Sequence, residues 1–224
     1  MPALFLIIPL AALVLLNLPL GSSVRRCAWG LALALTAVQV WAVLFAPQVL
    51  AGGSGPVTDF LALRLTAVPI SRLLLLTIGV VSFAVLLVAR ETVADEGRRA
   101  NFVNILLLAL IGMNGTVLLS DVFSLYVFME ITSVCSFVLI ASERDKSGLE
   151  GAFKYIMLSA VASVLMLTGV ALLLVFAGGT SFADVRQGLM AANGNMLARG
   201  ITSLSTPPES IVNSDTSPSA WLAT

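Results

Sequence analysis

The sequence predicts an all-α fold, a polytopic helix bundle built to sit in a bilayer. Of its 224 residues 58% are hydrophobic and only 11% are charged. Mean hydropathy is +1.03. The apolar residues fall in separate blocks of about 18–25, the length a helix needs to cross a ~30 Å hydrocarbon core.

The same composition excludes several functions. Formal net charge is zero and the basic residues are scattered, so there is no electrostatic footprint for nucleic acid. Cys27 and Cys135 are the only cysteines, and Cys135 lies within an apolar block, where it reads as a small packing residue and not as part of a disulfide framework. Histidine is absent, which removes the commonest ligand of zinc and haem and the commonest proton relay. No CxxC, P-loop or GxGxxG occurs. The chain is therefore expected to hold no cofactor and no metal, and no catalytic redox site of its own.

Six spans are expected within a bundle over residues 1–200, at about 3–20, 27–50, 70–89, 102–119, 122–140 and 155–177. The first could pass for a signal peptide, but it lacks a basic leading segment and Arg25-Arg26 follow it, so it reads as a retained helix. After the second, AGGSGPVTDF (51–60) makes a turn, and LALRLTAVPISR, with Arg64 and Pro69, reads as interfacial or partly extended chain entering the third. Only Ser120 and Asp121 separate spans four and five, a tight antiparallel hairpin in which Asp121 can cap the fifth helix. Beyond the sixth, residues 182–193 resemble a short amphipathic helix lying at the membrane surface, with Asp184 near its start. Residues 201–224 include ten Ser or Thr and three Pro and are expected to form a disordered tail.

Loop charges set the expected orientation. Arg25, Arg26, Arg90, Arg98, Arg99, Arg144, Lys146 and Lys154 fall on one side, against Arg64, Arg72, Arg186 and Arg199 on the other. That contrast places the N-terminus outside the cytoplasm of a prokaryotic plasma membrane.

Within the fifth span, DVFSLYVFMEITSVCSFVLIAS (121–142), stands one acid, Glu130. Nine residues below the cap at about 1.5 Å each, its Cα lies roughly 13–14 Å deep, near the midplane. An ionisable side chain at that depth costs roughly 2.5–3.5 kcal/mol on insertion scales, so it persists where it faces protein or a water-filled cavity. Tyr126 and Ser133, at i−4 and i+3, extend it into a narrow polar stripe. The bland alternative is an acid that only hydrogen-bonds a neighbouring helix. Lys154 either snorkels at the rim of the sixth span or, if that helix starts nearer Leu149, is drawn inward to pair with an acid such as Glu130. Asn114, between Gly112 and Gly115, reads as a packing residue or a holder of water, and Ser159 and Ser163 as a small-residue helix contact.

The stretch GMNGTVLLSDVFSLYVFMEITSVCSFVLIAS (112–142), a charged loop, and AFKYIMLSAVASVLMLTGVALLLVFAGGTSFADV (152–185) carry a resemblance. They look like the antiporter-like family: the proton-pumping membrane subunits of respiratory complex I, the large subunits of multisubunit Na+/H+ antiporters, and their counterparts in energy-converting membrane hydrogenases. On that resemblance Glu130 matches the family's channel glutamate and Lys154 its sixth-helix lysine. Tyr126, Ser133, Asn114 and Asp121 are added as supporting polar groups from their positions in the sequence. It implies partners among other membrane subunits and the lipid bilayer, with protons or Na+ as the transported ion.

Members of this family resemble a 14-helix protein made of two inverted five-helix repeats, so the chain reads as an incomplete version of that fold and is expected to be a truncated product. Residues 1–111 agree in hydropathy only. In such subunits protons are thought to pass along buried acids and lysines, because desolvation and an approaching cation push a carboxyl's proton affinity in opposite directions. The expected function is thus that of a proton-translocating subunit of an NADH:quinone oxidoreductase, hydrogenase or antiporter complex. The alternative is a non-conducting membrane scaffold or assembly subunit.

Overall fold

The computed structural model describes residues 2–17, 22–45, 65, 69–93, 96–142 and 145–205. Among these are seven helices: α1 (Leu4–Asn17), α2 (Ser22–Phe45), α3 (Pro69–Thr92), α4 (Glu96–Leu118), α5 (Val122–Ala141), α6 (Lys146–Ala177) and α7 (Phe182–Ser205). Helices α2 to α6 each hold an apolar stretch long enough to cross a membrane. The expected first span is shorter, because α1 has 14 residues and reaches only about 21 Å. The polytopic all-helical class holds, with five full-length spans and one short apolar helix among the described residues.

The two largest departures from the expected boundaries share a reason. Helix α6 starts at Lys146, nine residues before the expected 155, and α7 runs to Ser205, well past 193. Hydropathy marks where a chain changes solvent, but a helix continues through polar turns if its ends are satisfied. Asp145 caps α6, accepting the Gly148 N–H at 2.7 Å, and Gly178 closes it in the left-handed conformation at φ 68°. Residues 201–205, assigned to a tail by composition, are therefore helical. The rest of that tail lies outside the described residues, as do Arg64 and the 51–60 turn. Pro69 begins α3, where its missing N–H costs nothing.

The bundle is organised around α4, against which α1, α2, α3 and α5 all pack. One core layer joins Phe5 and Leu6 of α1, Val43 of α2, Leu75 of α3 and Ile111 and Leu118 of α4. A second joins Ala12, Leu16, Ala32, Leu86, Val103, Leu107 and Leu110. Arginines close the helix ends. Arg72 donates to the carbonyls of Val43 and Leu44 at the end of α2, and Arg99 to that of Val93 just past α3. Trp29 donates to Leu86 O at 2.9 Å while the Arg90 guanidinium lies 5.0 Å above its ring.

Helix α5 joins this group through small residues. A Cβ at Gly115 would collide with the Phe128 ring, and one at Gly112 with Thr132. Lipid supplies little hydrophobic drive between helices, so such close backbone approach is what holds them. Helix α6 packs on α5, and α7 on α6.

Candidate functional site

Helical spacing gives α5 two working faces. Phe128, Thr132 and Cys135 lie on one side, toward α4, and Cys135 is free and buried. Tyr126, Glu130, Ser133 and Phe137 lie roughly opposite, because steps of about 100° place residue 130 some 200° from 128. Helix α6 runs antiparallel along that second face. Val122 packs with Val170 near one end, Glu130 meets Ser163 in the middle, and the Phe137 and Tyr155 rings meet edge to face with centroids 6.1 Å apart near the other.

Glu130 is half-buried, and its Oε1 accepts a hydrogen bond of 2.5 Å from Ser163 Oγ. Ser163, read from the sequence as a packing residue, is thus the cross-helix partner of the acid. Tyr126 and Ser133, both half-buried, share the acid's face. Glu130 stands ninth of the 20 residues of α5, close to its middle.

Lys154 sits elsewhere. Although α6 begins before Leu149, Lys154 pairs with Glu150 on its own helix at 2.6 Å, and the two side chains are 70% and 67% exposed. Ser163 lies nine residues further along, so Lys154 is displaced from the level of Glu130 by about 13–14 Å of helix. The pairing of Lys154 with Glu130 allowed by the sequence is not formed. An i,i+4 partner is reached without crossing between helices, and the lysine's level on α6 is set by the hairpin register.

Asn114 is fully buried on the side of α4 away from α5. It exchanges two hydrogen bonds of 3.1 Å with the amide of Gln39 on α2 and donates a third to Phe5 O. Gln39 also donates to Leu75 O at 3.2 Å. One amide pair therefore ties α1, α2, α3 and α4 together in a water-poor core. Gln39 was not singled out from the sequence; an amide within the apolar run LALTAVQVWAV was the available signal.

Asp121 caps α5, its Oδ2 accepting the Ser124 N–H at 3.0 Å and the Ser124 hydroxyl at 2.5 Å. Burial pushes its carboxyl upward, but the hydrogen bonds donated by the Ser124 hydroxyl and N–H outweigh this and hold it below its usual value. The same turn is stitched to the α6–α7 connection, with Val122 N donating to Thr180 O and Phe182 N to Ser120 O.

Fold and site together define an antiporter-like, multi-pass helical membrane protein with a carboxyl at mid-span. Residues 120–205 match the NADH:quinone oxidoreductase/Mrp antiporter transmembrane family. It is 31% identical over 195 residues to NADH-quinone oxidoreductase subunit N of Erythrobacter litoralis, a match covering 84% of this chain and 39% of the relative. It is 29% identical over 115 residues to a Na(+)/H(+) antiporter subunit of Alkalihalophilus pseudofirmus, covering 51% of this chain and 23% of that one. Among solved structures it resembles a chain of the membrane-bound sulfane sulfur reductase, an archaeal respiratory membrane complex, with TM-score 0.68 and 26% identity over 82% of this chain and 39% of that one. The chain thus spans about two fifths or less of the proteins it matches.

Proposed function

We propose that the chain carries protons across a prokaryotic plasma membrane as one subunit of a multisubunit complex of the quinone oxidoreductase or cation antiporter type, with Glu130 as the group that takes up and releases the proton. The observation that carries this reading is a carboxyl halfway along a membrane-length helix, facing a second such helix and hydrogen-bonded to it. A carboxylate with one hydroxyl partner suits a proton better than a metal cation, which takes several oxygens. The names of the relatives support an ion-coupled membrane complex.

The test is proton uptake into sealed vesicles, normalised to assembled complex. Glu130→Gln keeps the shape and hydrogen-bonding reach but removes the titratable group, and should assemble normally while losing uptake by roughly tenfold or more. Glu130→Asp should retain part of the activity. Lys154→Ala should be milder, since that lysine is exposed and tied to Glu150. Full uptake by Glu130→Gln would hand the chain the scaffold role instead.

A further inference from the structure

We propose that Ser163 is a positioning residue for Glu130: its hydroxyl holds the ionised carboxylate in the α5–α6 seam and turns from donor to acceptor when the acid is protonated. This deepens the reading of Glu130 as the proton-carrying group and rests on it.

Three hydroxyls of these helices bond within their own backbone. Thr132 donates to Phe128 O, Ser136 to Thr132 O and Thr168 to Val164 O, each four residues back. Such back-bonding is the usual outlet for a helical hydroxyl where water is scarce. Ser163 instead donates across the seam to Glu130. A hydroxyl also suits an acid that changes charge, because it both donates and accepts, whereas Lys or Arg can only donate. When Glu130 gains a proton, the new O–H can point at Ser163 Oγ while the serine's own proton rotates away. No bond between heavy atoms is made or broken.

The surroundings leave this role to Ser163. Residues 100–118 of α4, packed on the far face of α5, contain no ionisable side chain, and neither do residues 156–177 of α6. Lys154 is paired with Glu150, Tyr155 stacks on Phe137, Tyr126 lies on the acid's own helix, and Cys135 faces α4. Among the described residues, Ser163 is the one whose hydrogen bond to Glu130 crosses the seam.

The experiment is infrared difference spectroscopy of the complex in its membrane, following the carboxyl carbonyl band that Glu130→Gln removes. Ser163→Ala should move that band to higher frequency, because the neutral carboxyl loses its hydroxyl partner, and should change the pH profile of the band. Proton uptake at neutral pH should fall several-fold. Ser163→Thr, which keeps the hydroxyl, should restore band and profile, and Ser163→Cys, a weaker donor of similar size, should fall between. Coincidence of the Ala band and profile with wild type would overturn the proposal. So would failure of Thr to restore them in a normally assembled complex, which would leave Ser163 a packing residue. The band reports on Ser163 whether or not Glu130 carries protons, so normal pumping by Glu130→Gln would remove the transport reading alone.

Discussion

The side chain of Asn114 donates, at 3.1 Å, to the carbonyl of Phe5, the one carbonyl in α1 whose helical donor would have been the N–H that Pro9 lacks. A proline in a short apolar helix is thereby tolerated because a neighbouring helix supplies the missing donor.

Replacing Asn114 with Leu should leave Phe5 O without its side-chain donor and the Gln39 amide with Leu75 O alone. The expected loss is about 1–3 kcal/mol, toward the lower end in a bilayer, where the unfolded chain also finds partners. Reversible unfolding of the purified chain in bicelles would measure it. In a Pro9→Ala background the backbone donor returns, so the same substitution should cost less. Equal costs in both backgrounds would refute the link between Pro9 and Asn114.

Asp121 should make stability depend on acidity. Its carboxyl is held below the usual value when folded, so its contribution is complete above the unfolded pKa of about 3.9 and disappears as pH falls through the lower folded value. Protection of the Ser124 amide, taken as hydrogen exchange relative to the intrinsic rate at each pH, should fall below about pH 4 in the wild type. In Asp121→Asn protection should start lower and lose much of that acid dependence. An unchanged acid profile in the variant would assign the dependence to another group.

The orientation expected from the loop charges would put Ser147 on the cytoplasmic side and Gln187 outside, and both residues are exposed. Single cysteines at these positions should react with a membrane-impermeant thiol reagent from inside and from outside, respectively. The reverse pattern would invert the orientation and place the N-terminus in the cytoplasm.

The polytopic helical class was legible because crossing a bilayer is a one-dimensional property of composition, and the Asp121 cap was legible because a cap acts on residues next to it. What the chain does between helices was much less so. Glu130 announced itself by depth, but its partner depends on the antiparallel register of α5 and α6, which side-chain packing sets and spacing along one helix does not. Ser163 therefore looked like any small contact residue. Gln39 and Asn114 lie 75 residues apart, and neither sequence neighbourhood points to the other. The start of α6 was missed for a different reason: the charged turn Lys146–Glu150 is polar yet readily helical.

The α5–α6 register also constrains how far a proton would travel. Hydrogen-bonded oxygens stand about 2.8 Å apart, so the 13–14 Å of helix between Lys154 and the level of Glu130 amounts to roughly five links. No single rotation of either side chain closes such a gap. Traffic between the rim and the acid would have to pass hand to hand along a file of water and hydroxyls.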